Sequence, residues 1–190
     1  MVELTPLGIS VLALLDEAPM HPYEMYQLLR KRRIDRIVKV RPGSLYHTVE
    51  RLARQGLVEA TGTERAGNRP ERTTYAITPE GRRTLERRVA ELIETVVYEY
   101  PIFPVALGEA HNLSRTDAIA RLSRRADDLD AQIADTAQEV EAARSRNVDE
   151  AFMLAADYLR VMLAAERDWL RTTIDRLETK DLPWPRRTKS

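Results

Sequence analysis

Among the 190 residues of this chain, one run constrains the fold most: Arg41-Pro42-Gly43-Ser44-Leu45-Tyr46-His47-Thr48-Val49-Glu50-Arg51-Leu52, continuing into Gln55-Gly56-Leu57-Val58. Pro42 and Gly43 disfavour helix on their N-terminal side, and Ser44 is read as the cap of a new helix. Leu45, Val49 and Leu52 recur at spacings of four and three, which predicts a short amphipathic helix. Its other face offers Ser44, Tyr46, His47, Glu50, Arg51 and Arg54, and Gly56 stands where a left-handed cap is wanted. A helix of about three turns with a hydrogen-bonding outer face has the dimensions of the DNA major groove.

Leu57-Val58-Glu59-Ala60 reads as a strand, 62–72 is polar and turn-rich, and Thr73-Thr74-Tyr75-Ala76-Ile77 is β-branched and aromatic. This pattern predicts a hairpin whose tip carries Arg65, Asn68, Arg69 and Arg72. A helix followed by a hairpin with a basic tip is the order of a winged helix-turn-helix, in which the wing reaches phosphate. On these residues alone, an α-β module with an incidentally charged surface is the alternative.

Upstream, Thr5-Pro6 is a cap followed by a first-turn proline, and Leu7, Val11, Leu12, Leu14 and Leu15 make a strongly apolar helix. A second helix over 22–33 turns Met25, Leu28 and Leu29 inward and leaves Tyr23 and Arg30 outside. The connection over 34–40 is basic and β-branched, so Tyr23, Lys39 and Arg41 join Ser44, Tyr46, His47 and Arg51 as the expected DNA-facing set. After the wing, Thr78-Pro79-Glu80-Gly81 repeats the cap-plus-proline signal and begins a long helix to about Tyr98.

Charge supports that assignment. The chain is neutral overall, yet residues 30–72 hold 12 Lys and Arg against 5 Asp and Glu, while residues 81–190 hold 18 against 20. There is no cysteine, which excludes a disulfide framework or a thiolate metal site. His21, His47 and His111 fall on different elements without metal-ligand spacing, and there is no Gly-rich phosphate loop. We therefore expect no enzyme, cofactor or metal. The N-terminus lacks a basic region followed by an apolar run, and no stretch suits a spanning helix, so a cytoplasmic protein with no membrane partner is expected.

In the second half, Pro101, Pro104 and Gly108 interrupt helix, predicting a hinge or packed connection anchored by Ile102, Phe103, Val105 and Leu107. Ser114-Arg115-Thr116-Asp117 resembles a capping box. From there Ile119, Leu122, Ala126, Leu129, Ile133, Ala137 and Val140 step by threes and fours, and Phe152, Ala156, Leu159, Leu163, Glu166, Leu170, Ile174 and Leu177 follow the same rhythm. Two such helices form a hairpin that leaves apolar surface to cover, and a second copy of the chain is the expected cover. The dimer interface is assigned to Leu129, Ile133, Val140, Leu159, Leu163, Leu170 and Ile174; a closed monomeric bundle is the alternative. Met153, Tyr158, Met162 and Trp169 are of the type that lines a cavity for a flat apolar effector, and equally of the type that forms plain core.

Several of these runs resemble the PadR family of bacterial transcriptional regulators. The resemblance is carried by Leu7-Gly8-Ile9-Ser10-Val11-Leu12-Ala13-Leu14-Leu15, His21-Pro22-Tyr23-Glu24, Gly43-Ser44-Leu45-Tyr46 through Leu52, Gly56-Leu57-Val58, Gly67-Asn68-Arg69-Pro70-Glu71-Arg72-Thr73-Thr74-Tyr75 and Thr78-Pro79-Glu80-Gly81. It covers roughly the first 90 residues, and Glu71 departs from the more uniformly basic wings of relatives. It implies a dimeric winged-helix repressor whose helical tail makes the dimer, with relatives that respond to phenolic or drug-like compounds.

The expectation is thus a mainly α chain with a small β-hairpin wing. A winged helix-turn-helix DNA-binding domain with its long linking helix spans 1–98, an antiparallel helical dimerisation domain 99–182, and a basic tail 183–190. The expected partners are double-stranded DNA with an inverted-repeat operator, a second copy of the chain and a small apolar or aromatic effector. Competing classes are a winged-helix module that binds protein and a ligand-binding dimer with little DNA affinity. Salt-dependent duplex binding separates them from the DNA reading.

Overall fold

A computed structural model describes residues 4–64, 72–97 and 100–185, with the backbone alone at 63, 64 and 72. The chain is mainly helical with one antiparallel hairpin, as expected from its sequence, and divides into two compact units, Met1–Glu99 and Tyr100–Ser190.

In the first unit, α1 (Pro6–Glu17) begins at Thr5, whose Oγ1 accepts from the Gly8 N–H at 3.2 Å. Helix α2 (Pro22–Lys31) begins with a reciprocal cap: His21 Nδ1 accepts from the Tyr23 N–H at 3.0 Å, and Glu24 Oε2 accepts from the His21 N–H at 2.9 Å. Arg33 then takes φ 57° and a 3-10 turn covers Ile34–Arg36, inside the segment expected to be a plain connection. Helix α3 spans Pro42–Arg54. Its start corrects the sequence reading: Pro42 is the first helical residue and Arg41 the N-cap, so Ser44 lies inside the first turn instead of capping it. Proline suits that place because its φ is preset and a first-turn N–H has no helical partner in any case.

Leu7, Val11, Leu12, Leu15, Met25, Leu29, Leu45, Val49, Leu52 and Leu57 close the core of this unit. Each such side chain contributes about 1.5–3 kcal/mol by leaving water. At the end of α3, Gly56 adopts φ 70°, its N–H donates to Ala53 O at 3.0 Å, and the Leu57 N–H donates to Leu52 O at 3.0 Å. These are the two bonds of a Schellman turn, and buried Leu52 and Leu57 supply its apolar contact. Strand β1 (Val58–Glu64) follows at once and pairs with β2 (Arg72–Ile77) from Val58↔Ile77 to Glu64↔Arg72, with a bulge between Ala60 and Gly62. Met20 bridges to Tyr75 through both backbone bonds, 3.0 and 3.2 Å, tying the α1–α2 turn to the hairpin.

Helix α4 (Pro79–Glu94) starts on Thr78, whose Oγ1 accepts from the Gly81 N–H at 3.0 Å and donates to Gly56 O at 2.7 Å. It stops short of the expected Tyr98, with Thr95 extended at φ −98°, ψ 125°. The β-branched run Thr95-Val96-Val97 favours that geometry.

In the second unit, the expected hinge contains helix α5 (Ile102–Gly108). Pro101 is its N-cap and Pro104 falls in its first turn, where prolines remove no helical bond. Of the four expected anchors, Phe103 and Leu107 are half-buried while Ile102 and Val105 are exposed. Helix α6 (Arg115–Arg144) is capped by Ser114, whose Oγ accepts from the Asp117 N–H at 3.1 Å. After a turn with Asn147 at φ 56° and a 3-10 turn over Glu150–Met153, α7 (Leu154–Glu178) returns along α6. Phe152 lies in the 3-10 turn and is exposed, not part of the α7 stripe.

Ala126, Leu129 and Leu170 form the α6–α7 core, with Phe103, Leu122 and Leu163 against it. Ion pairs flank the seam: Arg125 Nε to Glu166 Oε1 at 2.6 Å, Arg167 Nη1 to Asp130 Oδ1 at 3.2 Å, and Arg171 Nη2 to Asp130 Oδ2 at 2.6 Å. The Arg125 guanidinium also lies 3.6 Å from the centre of the Phe103 ring. Beyond α7 the chain folds back, and Trp184 Nε1 donates to Leu113 O at 2.9 Å.

Three interface assignments need correction. Leu129, Leu170 and Ile174 are 5%, 0% and 9% exposed within the single chain, which leaves them no surface for a partner. The long helices bury that line against each other. Ile133, Val140, Leu159 and Leu163 are half-buried. The apolar surface left open on α7 is a different line, Leu154, Tyr158, Val161, Met162 and Trp169. The effector quartet divides accordingly: Met153 is buried, whereas Tyr158, Met162 and Trp169 lie on that open stripe.

Candidate nucleic-acid interface

Helix α3 is held from behind and open in front. Leu45, Thr48, Val49 and Leu52 are buried, and Thr48 Oγ1 donates to Ser44 O at 2.8 Å, so the one buried hydroxyl is satisfied within the helix. Ser44, Tyr46, His47, Glu50 and Arg54 are exposed, which gives a polar face able to donate and accept along three turns. Arg54, read from the sequence as part of this outer face but not included in the expected contact set, completes it two turns beyond His47.

Tyr46 is not a loose side chain. Its ring meets the His21 ring edge-on, with centroids 6.1 Å apart and planes at 73°. Since His21 caps α2, the N-terminal ends of α2 and α3 meet there, and Tyr23, exposed in the first turn of α2, belongs to the same edge. Arg51 departs from the expected outer face. It is half-buried, and its Nη2 donates to Thr5 Oγ1 at 3.0 Å.

Basic charge surrounds this face. Lys39 and Arg41 are exposed immediately before α3, and Arg33 and Arg36 are exposed on the 3-10 turn. Arg32 is committed elsewhere, pairing with both carboxylate oxygens of Glu17, Nη2 to Oε2 at 2.7 Å. That bond holds the Glu17 carboxyl below its usual range and pushes the Arg32 guanidinium up. Arg82 Nε is likewise engaged by Asp16 Oδ1 at 2.6 Å, joining α4 to α1. Of the expected wing contacts, Arg65, Asn68 and Arg69 lie outside the described residues, as does the side chain of Arg72, whose backbone pairs with Glu64 in the hairpin.

Among the described residues no group of His, Asp or Glu is arranged to hold a metal ion, and no helix is long and apolar enough to cross a membrane. The site therefore offers hydrogen-bonding side chains and positive charge on a rigid helix.

Comparison with known proteins agrees. The profile of the transcriptional regulator PadR-like family matches residues 11–87. Bacillus subtilis PadR in complex with operator DNA has a TM-score of 0.72 at 19% identity, covering 90% of this chain and 98% of that one. The same protein in complex with p-coumaric acid gives 0.76 at 14%, covering 92% and 99%. A PadR-like transcriptional regulator from Bacillus cereus gives 0.67 at 19%, covering 91% and 99%. At these identities the likeness is one of fold, and it runs through both units. Among curated proteins none matches. With α2, α3 and the hairpin inside the matched segment, this chain is similar, through residues 11–87, to the PadR-like family of transcriptional regulators.

Proposed function

We propose that the chain is a sequence-specific DNA-binding regulator, a homodimeric repressor at an inverted-repeat operator that a small apolar or aromatic effector releases. The observation that carries this reading is the exposed polar face of α3, Ser44, Tyr46, His47, Glu50 and Arg54, adjoining Lys39 and Arg41. Base edges in the major groove are read by such donors and acceptors, and the flanking cations meet phosphate. Residues 1–98 supply DNA binding, with Arg65, Asn68, Arg69 and Arg72 of the wing on the backbone, and a cytoplasmic location follows from a DNA partner.

Residues 99–182 supply dimerisation. The open stripe Leu154, Tyr158, Val161, Met162 and Trp169 is the partner-facing surface, with Leu159 and Leu163 at its margin and Ile133 and Val140 on α6. Tyr158, Met162 and Trp169 on that stripe are also the residues for a flat ligand. The operator-bound and p-coumaric acid-bound Bacillus subtilis structures make DNA and a phenolic compound the first candidates to test.

Selection from a randomised duplex pool tests the reading. The full chain is expected to enrich an inverted repeat and to bind it with affinity that falls steeply with salt. Failure to enrich any duplex would remove the DNA reading and leave a protein-binding module.

A further inference from the structure

We propose that Arg51 serves DNA recognition from behind the reading face, as a positioning residue that sets the rotation of α3 through Thr5; the inference rests on the DNA reading above. Successive helical residues step by about 100°, which places Tyr46 and Arg51 on opposite flanks of the buried line Leu45, Val49 and Leu52. Each flank is tied to a helix start. Tyr46 meets the cap of α2 through the His21 ring, and Arg51 meets the cap of α1 through Thr5. The inner apolar line resists separation of α3 from the core but does little against rolling about its own axis. The two flank contacts oppose that roll in both senses.

The Arg51 contact joins residues 46 apart in sequence, with Nη2 donating to Thr5 Oγ1 at 3.0 Å. The same oxygen accepts from the Gly8 N–H at 3.2 Å, so both of its lone pairs are used and it is oriented by the helix it caps. Gly8 lies beside the contact: a Cβ there would make ordinary van der Waals contact, 3.4 Å from Thr5 Oγ1 and 3.8 Å from Arg51 Nη2. Other terms disfavour the arrangement. Arg51 Nε is buried without a partner, and the guanidinium stands at a helix N-terminus, where the dipole repels cations. The bond to Thr5 is the favourable contact that keeps the side chain turned back.

The test uses the full chain with the duplex that the parent enriches from a randomised pool, and a scrambled duplex of equal length. Thr5→Gly keeps a residue tolerated at an N-cap but removes the oxygen that Arg51 reaches. It is expected to bind the selected duplex about three- to tenfold more weakly, with the scrambled duplex and the salt slope unchanged. Arg51→Gln is expected to show the same pattern, the double variant no further loss, and Thr5→Ser parental binding. Circular dichroism at the assay temperature establishes that each variant is folded. Parental affinity in Thr5→Gly overturns the inference, as does a loss on both duplexes that tracks unfolding. Additive losses with a salt slope lower by about one unit in Arg51→Gln would make Arg51 a phosphate contact instead. If the parent enriches no duplex, the DNA reading itself has failed and this inference falls with it.

Discussion

Gly81 in the first turn of α4 packs directly on the backbone of Leu57: a Cβ at residue 81 would lie 2.0 Å from the Leu57 carbonyl oxygen. The same carbonyl accepts the Thr78 N–H at 3.0 Å, so it cannot withdraw without breaking its bond to the N-cap residue of α4. Gly81→Ala is expected to destabilise the first unit by about 3 kcal/mol, at the upper end of overpacking costs. Thermal or urea unfolding measures it, and a variant within 0.5 kcal/mol of the parent, roughly the spread of neutral surface changes, would refute the close packing.

Tyr46 and its neighbour Leu45 separate recognition from folding. Tyr46→Ala is expected to weaken binding of the selected duplex by about 1–3 kcal/mol while the fold persists. Tyr46→Phe, which keeps the ring against His21, isolates the hydroxyl's share. Leu45→Ala, at a position 0% exposed, should cost about 2–5 kcal/mol of folding stability instead. Equal duplex affinity in the parent and Tyr46→Ala would show that α3 presents another face.

The amount of this architecture legible in the sequence followed how local the cause was. Thr5-Pro6 and Thr78-Pro79 announced their helices because a cap and a first-turn proline act within four residues. Gly56 announced the end of α3 for the same reason. Ser44 was misread because Pro42 can either precede a helix or begin one, and the spacing of Leu45, Val49 and Leu52 is satisfied by both. On α7 the rhythm of three and four is met by two lines at once, one through Leu163 and Leu170 and another through Tyr158, Met162 and Trp169. Only the packing of α6 decided which was core. Arg51 looked like its outward neighbours, and the oxygen that turns it back lies in another helix.

The open stripe of α7 gives the proposed dimer a direct test. Met162→Glu and Trp169→Glu, at positions each 49% exposed, are expected to yield a folded monomer. Leu170→Glu should unfold the second unit, because it buries a charge beside Ala126 and Leu129. Sedimentation velocity at micromolar concentration distinguishes the cases. A parent protein that sediments as a monomer yet binds a single half-site at full affinity would remove both the dimer and the inverted repeat.

Acid is expected to weaken the first unit through Glu17. Its carboxyl titrates below the usual range because Arg32 donates to it, so the folded state binds that proton less readily than the unfolded chain. The contribution is therefore present above the ordinary carboxylate pKa, about pH 4, and is lost as pH falls through the folded value. The pair is about half exposed, which makes the effect small. Glu17→Gln should be slightly less stable than the parent at pH 7 and should approach it as pH falls through the folded value; a difference that stays constant into acid would assign the effect to packing.

The way α3 is gripped bears on how such a protein could acquire new targets. Its anchors are Leu45, Thr48, Val49 and Leu52 beneath, the Gly56 turn at its end and the flank contacts of Tyr46 and Arg51. Ser44, His47, Glu50 and Arg54 take part in none of the inward packing. Substitutions at those four positions would exchange one pattern of donors and acceptors for another on an unaltered scaffold, so under the proposed DNA-binding function operator preference can drift between descendants without passing through unstable intermediates.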